Sequence, residues 1–175
     1  YAINNLTTKE GKKLSDNLHD QGIFEKGTPE HDWVLGTEKI GKDVFNLLPD
    51  LFKQFSISFP HKKLIVRPHQ GEVVDVYFKM TDGLSNIKVV RDDRNALSWI
   101  KASNGLISSN CTTSVEAYLL NKININIFAS RGLEEQEFYL PRKVSINTTN
   151  VNETIGELKK LYENPSLREN FKNQE

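Results

Sequence analysis

At 175 residues, 37% hydrophobic and 26% charged, the chain suits one compact domain with a sizeable core and is too long for a peptide. Lysine plus arginine and aspartate plus glutamate number 23 each, so no global positive field favours nucleic acid or an anionic membrane surface, and an anionic ligand is expected only at a local site. The single cysteine, Cys111, excludes an internal disulfide and fits a reducing compartment, which makes the cytoplasm the expected location. No run approaches the roughly 18 apolar residues that span a bilayer, and the first residues lack the basic and apolar regions of a signal peptide. Membrane association is therefore expected to be peripheral, at the inner face. Tyr1-Ala2-Ile3 reads like the end of a strand already under way, so the chain is expected to be a fragment whose upstream part carries a second domain.

In chain order, Thr7 to Phe24 is polar with apolar Leu14, Leu18 and Ile23, the pattern of an amphipathic helix that stops near Gly22. Glu25 to Trp33, rich in glycine, proline and charge, reads as a loop. Val44, Phe45, Leu47, Leu48, Leu51, Phe52 and Phe55 are spaced for a second helix over about Lys39 to Phe55, with Pro49 expected to kink or split it. Lys63 to Val66 fits a buried strand of a parallel sheet, closed by Arg67-Pro68. Asn86 to Val90 reads as a strand, and Ala96 to Ala102 as a helix with Leu97, Trp99 and Ile100 on its apolar face. Gly105 to Ser108 is a third strand.

Thr112 to Leu120 follows as a helix, N-capped by Thr112 or Thr113, with Val115, Ala117, Leu119 and Leu120 as packing positions. Ile123 to Phe128 alternates isoleucine with asparagine, Lys143 to Ile146 reads as one more strand, and Val151 to Tyr162 as a last helix with Ile155, Leu158 and Leu161 inward. No internal repeat or low-complexity segment stands out. Alternating strands and helices predict an α/β, Rossmann-like three-layer domain over residues 1–175, with a mostly parallel sheet.

Ligands of such sheets sit beyond the carboxyl ends of the strands. Two polar segments fall there: Arg67-Pro68-His69-Gln70-Gly71-Glu72, and Ser108-Ser109-Asn110-Cys111-Thr112-Thr113 directly before a helix. A strand running through small hydroxyl residues into a helix offers backbone N–H groups and the positive end of the helix dipole to an anion such as phosphate. Glu116, one turn on, can accept from ribose hydroxyls. Arg67 offers a fork suited to phosphate, and His69 can donate to phosphate or move a proton. Plainer assignments fit as well: an ordinary N-cap and polar loop for Ser108 to Thr113, and an arginine paired with Glu72 beside a histidine satisfied in its loop. His19, His31 and His61 show no partner pattern.

The chain has no P-loop lysine signature, GxGxxG, HExxH or CxxC pair, so metal and dinucleotide readings are weak and no cofactor is expected. Four matches to the N-glycosylation pattern, at Asn5, Asn110, Asn147 and Asn152, are of the kind any asparagine-rich chain produces.

Lys63-Leu64-Ile65-Val66-Arg67-Pro68-His69-Gln70-Gly71-Glu72 resembles the strand and RPHPxE motif of the surface carbohydrate biosynthesis proteins. The segment from Ser98-Trp99-Ile100 through Cys111-Thr112-Thr113-Ser114-Val115-Glu116-Ala117 to Asn121-Lys122 is similar to the same family's W-I to C-T-T-x-x-E-A to G-K stretch. The likeness spans roughly residues 62–128, with Asn4-Asn5 similar to the family's asparagine-bearing strand end. It departs at Gln70, where the family has proline, at Asn104, where it has aspartate, and at Asn121, where it has glycine.

The resemblance implies the C-terminal, donor-binding half of a GT-B-like glycosyltransferase of surface polysaccharide biosynthesis. In related enzymes using CMP-activated acidic sugars, sialyltransferases and Kdo transferases among them, a His-Pro motif and a Ser/Thr pair grip the nucleotide phosphate. By that likeness Arg67, His69, Glu72, Ser108, Ser109, Asn110, Thr112, Thr113 and Glu116 would bind the donor, and leaving-group charge would be stabilised as the bond breaks. The glycan or lipid-linked acceptor and the catalytic group would belong to the missing domain. The alternatives are a UDP-sugar 2-epimerase or polyol-phosphate transferase of the same architecture, and a noncatalytic module that binds a nucleotide or a partner protein.

Overall fold

The computed structural model describes residues 13–69, 72–91, 95–164 and 166–167. The chain is mixed α/β, with short parallel sheets of two and three strands flanked by helices, as in Rossmann-like folds. It divides into two compact units: residues 1–91 with 130–136, and residues 92–129 with 137–175. Asn4 and Asn5, the Thr7 to Lys12 part of the first expected helix, and Gln70 lie outside the described residues.

The first unit is organised by one long helix. Its elements are α1 (Leu14–Asp20), α2 (Pro29–Ser58), β1 (Leu64–Val66), α3 (Asp75–Met80), β2 (Ile87–Val89) and a 3₁₀ turn, Glu134–Gln136. The expected loop from Glu25 to Trp33 holds only over residues 25–28, and Pro29 to Trp33 is helix. The Thr28 hydroxyl accepts from the His31 N–H, Pro29 opens the helix, and Glu30 and Asp32 sit in its first turn. These are N-terminal signals that the glycine, proline and charge of this stretch obscure. Pro49 lies exposed inside α2, and the helix runs through it. The inward face of α2 buries Val34, Ile40, Val44, Leu51, Phe52 and Phe55, enough apolar surface to outweigh one lost backbone hydrogen bond.

The expected helix before it is shorter, with Gly22 at φ 71° just past its end. The β1 strand pairs in parallel with β2, Leu64 opposite Ile87 and Val66 opposite Val89. The expectation of a fully buried β1 is corrected, since Ile65 is 38% exposed in this two-stranded sheet. Asn86 ties the unit together. Its side chain accepts from the Ser56 hydroxyl at 2.6 Å and donates to the carbonyls of Phe59 and Lys62, at 3.1 and 3.2 Å. The end of α2 and the entry to β1 are thereby fixed beside β2.

The segment 130–136 packs on α2. Ser130 donates to Asp43 at 2.7 Å, Lys39 reaches the same carboxylate oxygen at 2.5 Å, and the side chain of Gln136 lies where a Cβ on Gly36 would stand. Desolvation raises the Asp43 pKa, but the hydrogen bonds from Lys39 and Ser130 and the charges of Lys39 and Lys42 outweigh it and hold the group below its ordinary 3.8.

The second unit holds α4 (Ala96–Ala102), β3 (Gly105–Ser108), α5 (Thr113–Leu119), β4 (Ile123–Ile127), α6 (Tyr139–Lys143), β5 (Ile146–Thr148) and α7 (Val151–Glu163). Its sheet runs β3-β4-β5, all parallel, with Gly105 opposite Ile123 and Ile125 opposite Ile146. Three details differ from expectation. Lys143 belongs to α6, so the last strand starts three residues later, where Ile146 can pair with Ile125. Leu97 and Leu119 are 42% and 73% exposed and do not pack inward. The alternating isoleucine and asparagine of β4 share one environment: Asn124, Ile125 and Asn126 are wholly buried and Ile127 nearly so. A central strand is covered on both faces, so the polar side chains must pair inside.

Two outcomes are expected. A Cβ on Gly105 would lie 2.9 Å from the Ile123 carbonyl oxygen, a backbone atom that cannot step aside without parting β3 from β4. Gly105→Ala is expected to cost on the order of 1–3 kcal/mol, read as a lowered urea midpoint. The Asp43 carboxylate, with its folded pKa depressed, contributes stability that is present above the unfolded value and is lost as pH falls through the folded value. Asp43→Asn is expected to be less stable than wild type at pH 7, with the difference closing on acidification below 3.8. A difference constant with pH in acid and urea titrations would refute this.

Candidate functional site

The two polar segments fall in different units, so each is described within its own. After β1 the chain runs through half-buried Arg67 and Pro68 to an exposed His69. Glu72 folds this loop back: its N–H donates to the His69 carbonyl at 2.8 Å, and its carboxylate accepts from the His69 N–H at 2.5 Å and the Tyr77 hydroxyl at 2.8 Å. By holding a loop amide and a phenol, the carboxylate acts as a clamp that presents His69. Tyr77, a residue the motif reading passed over, is 3% exposed on α3 and meets the Phe45 ring edge-on at 6.1 Å. Burial, then the charge and hydrogen bond of Glu72, push the Tyr77 phenol well above its ordinary value.

In the second unit Ser108 ends β3 and Thr113 opens α5, with a left-handed turn between them. Asn110 has φ 45°, a conformation that asparagine tolerates better than most residues. It is 4% exposed and braced on both sides. Its N–H donates to Asn126 Oδ1 at 2.8 Å, and its side-chain oxygen accepts from the Phe138 N–H. Ser108 bonds the Ser114 hydroxyl at 2.7 Å and donates to Asn124 Oδ1 at 3.4 Å. Thr113 donates to the Cys111 sulfur at 3.1 Å. Ser109 is half-buried and Thr112 exposed, and neither side chain makes any of these bracing bonds. Glu116 stands half-buried in the first turn of α5.

The expected helix-start chemistry is only partly present. Thr112 occupies the N-cap position but makes no side-chain cap bond. The Ser114 and Val115 N–H groups are taken by the Cys111 and Thr112 carbonyls, at 3.1 and 2.9 Å. With α5 only seven residues long, its dipole adds little, and hydroxyl groups are the principal donors this segment offers. Asn121, where the resembled pattern has glycine, has φ 53°, a left-handed conformation that glycine and asparagine both adopt. Lys122 beside it donates to the Ser103 carbonyl at 2.7 Å, a structural role.

The same construction recurs after β5. Thr148 bonds Thr154, six residues on, at 2.8 Å, as Ser108 bonds Ser114, and Asn150 stands where Asn110 does. There the helix start is closed from within: Asn150 caps the Glu153 N–H at 3.0 Å, and Glu153 takes the Thr149 N–H at 2.7 Å.

Reading the motifs missed the polar side chains beneath the first turn: Asn124, Asn126, Ser145, Asn147 and Glu137. Asn124 donates to Ser145, and Asn126 donates to Glu137 at 2.9 Å and to Asn147 at 3.2 Å. Their signal was the isoleucine–asparagine alternation itself, two amides on one face of a central strand. Among the described residues no group of three or more His, Cys, Asp and Glu side chains is placed to hold a metal ion, and no helix is long and apolar enough to cross a membrane.

Tyr77→Phe takes one donor from Glu72 and is expected to cost about 1–2 kcal/mol. The folded pKa of Tyr77 is raised, so its contribution is complete below the unfolded value of 10.0 and is lost as pH rises through the folded value. Wild type should therefore lose its advantage over the phenylalanine variant in strong alkali, and an unchanged gap would refute the Tyr77–Glu72 bond. No protein-family model, no curated protein and no solved structure matches this chain, so a functional reading rests on its own residues.

Proposed function

We propose that this chain carries the nucleotide-sugar donor-binding part of a GT-B-like glycosyltransferase of surface polysaccharide biosynthesis. The observation that carries this reading is the Ser108–Thr113 turn. It lies at the carboxyl end of a strand in a parallel sheet, where α/β proteins hold ligands, and its left-handed Asn110 is fixed by buried side chains. A polar loop that merely linked a strand to a helix would not require such bracing. The hydroxyls of Ser109 and Thr112 stand outside the brace, available to donate to a phosphate.

In this reading the hydroxyls of Ser109 and Thr112 donate to the donor phosphate, Thr113 turning to it only on leaving the Cys111 sulfur, and Glu116 accepts from the ribose. Donors fixed in advance stabilise the negative charge that gathers on the nucleotide as the glycosidic bond breaks, without reorganising at that moment. The likeness of Cys111-Thr112-Thr113 and Arg67-Pro68-His69 to the motifs of surface carbohydrate biosynthesis proteins supports a CMP-linked acidic sugar. It also implies a glycan or lipid-linked acceptor and a cytoplasmic site at the inner face of the membrane. Within its own unit His69, presented by Glu72, is the second candidate donor, with Arg67 beside it.

The test is calorimetric titration of the chain with CMP, CDP, UDP and GDP. Saturable binding of CMP in preference to the others is expected. Thr112→Val and Ser109→Ala, which remove no bracing bond, are each expected to weaken it about five- to tenfold. Arg67→Ala and His69→Ala test the first unit separately. Preference for UDP would move the reading to a UDP-sugar 2-epimerase. No binding by a chain whose circular dichroism shows it folded would overturn it.

A further inference from the structure

Beneath the turn, four residues of the second unit close a ring of hydrogen bonds. Asn126, wholly buried in β4, accepts the Asn110 N–H at 2.8 Å through its carbonyl oxygen and gives its amide to Glu137 Oε1 at 2.9 Å. Asn110 in turn accepts the N–H of Phe138, the residue after Glu137. The Glu137 side chain is only 6% exposed and has Arg142 Nη1 at 3.5 Å. A neutral acceptor would satisfy one amide at less desolvation cost than a buried carboxylate. The charge, however, fixes which way the amide points: with Glu137 able only to accept, Asn126 must turn its N–H₂ group to Glu137 and its oxygen to Asn110. Only that orientation provides an acceptor for the backbone N–H of a residue at φ 45°.

We propose that Asn126 and Glu137 are positioning residues for nucleotide phosphate binding: they hold Asn110 in its left-handed conformation and so set where the hydroxyls of Ser109 and Thr112 stand. The inference rests on the donor-binding reading above and adds to it the part of the molecule that shapes the site without touching the ligand. It also accounts for asparagine at 126, where an aliphatic residue would pack as well but leave the Asn110 N–H buried and unmet.

The test exchanges the polarity of the pair. Asn126→Asp keeps an acceptor for Asn110 but sets a carboxylate against Glu137, whereas Asn126→Asp with Glu137→Gln restores a donor and an acceptor in reversed order. Two quantities are read: hydrogen exchange of the Asn110 and Phe138 amides, and CMP affinity by calorimetry. The single variant is expected to exchange both amides at least about tenfold faster and to bind about tenfold more weakly. The double variant should return both to within about threefold of wild type. Should Asn126→Asp not fold, Asn110→Gly serves: glycine accepts the positive φ but cannot hold Phe138, so faster exchange at Phe138 and weaker binding are expected.

Unchanged exchange in these variants, or a double variant no better than the single, overturns the ring as a positioning device whatever the nucleotide does. If exchange follows the ring but CMP neither binds wild type nor protects its Asn110 amide, the donor reading falls, and the ring's role in phosphate binding falls with it.

Discussion

A primary amide sealed inside a central strand must find partners for both its ends, and in the second unit the arrangement around the β3–α5 turn depends on how Asn126 does so. Left unmet, each buried polar group costs about 1–3 kcal/mol, a large part of the stability of a small domain. Asn126 meets the requirement by reaching outward along both neighbours, to the turn after β3 and to the segment before α6 that leads into β5. Parallel strands cannot be joined by short hairpins, so their connections are long and need anchoring at the strand ends. Asn124 does the same one pleat earlier, linking Ser108 on β3 to Ser145 before β5. The two asparagines thus act as cross-ties at the carboxyl half of the sheet, while Ile125 and Ile127 on the opposite face provide the apolar contact.

The first unit solves a comparable problem differently. Its sheet has only two short strands, too little to bury a core alone. The apolar mass is instead concentrated on one face of the 30-residue α2, and polar side chains fasten other segments to it. Asn86 fixes its C-terminal end, and Asp43 with Ser130 fixes the returning segment midway. The loop after β1 is secured apart from α2's own polar groups, by Glu72 and the buried Tyr77. His69 is therefore an exposed group on a loop whose backbone is fixed from within, an arrangement in which a side chain can meet a ligand with little ordering cost.

Local signals were legible where they were strong and self-contained. The spans of α4 and β3 follow directly from the spacing of Leu97, Trp99 and Ile100 and from a short apolar run beginning at glycine. The alternation of strands and helices pointed to parallel pairing, and parallel pairing is present in both sheets. Legibility failed where tertiary context decides. The start of α2 was hidden because Thr28-Pro29 punctuates a loop as readily as it opens a helix. Leu119 and Leu97 fit a helical face by spacing yet remain exposed, since neighbours and not period choose which stripe is covered. The alternation in β4 did not disclose that its asparagines are buried, because nothing local says that a strand will be covered on both sides. At the candidate site, the hydroxyl segment could be found from its place between strand and helix. Its brace could not, because Asn126, Glu137 and Phe138 are brought to it only by the sheet.

The recurrence of one construction after two strands helps to separate structure from function in this segment. At β3–α5 and at β5–α7 a strand-end hydroxyl bonds a helix hydroxyl six residues on, which closes the turn and seals its inner side. That much is a solution to packing, and its presence at both places means it is no evidence of a ligand. The difference lies outside the seal. After β5, Asn150 caps the Glu153 N–H and Glu153 takes the Thr149 N–H, so the helix start carries its own carboxylate and would repel a phosphate. After β3 the acidic residue is Glu116, the asparagine is turned inward to hold Phe138, and threonines take the outer positions. Both helices keep an acidic residue in the first turn, but only Glu153 reaches back to a backbone amide before its helix. If stability alone were served, the self-capped form would be the better choice at both, since a capping box stabilises a helix start that the β3–α5 turn leaves uncapped. The exposed Thr112 and the half-buried Ser109 are the hydroxyls this turn does not spend on its own closure, and the proposed donor site rests on them.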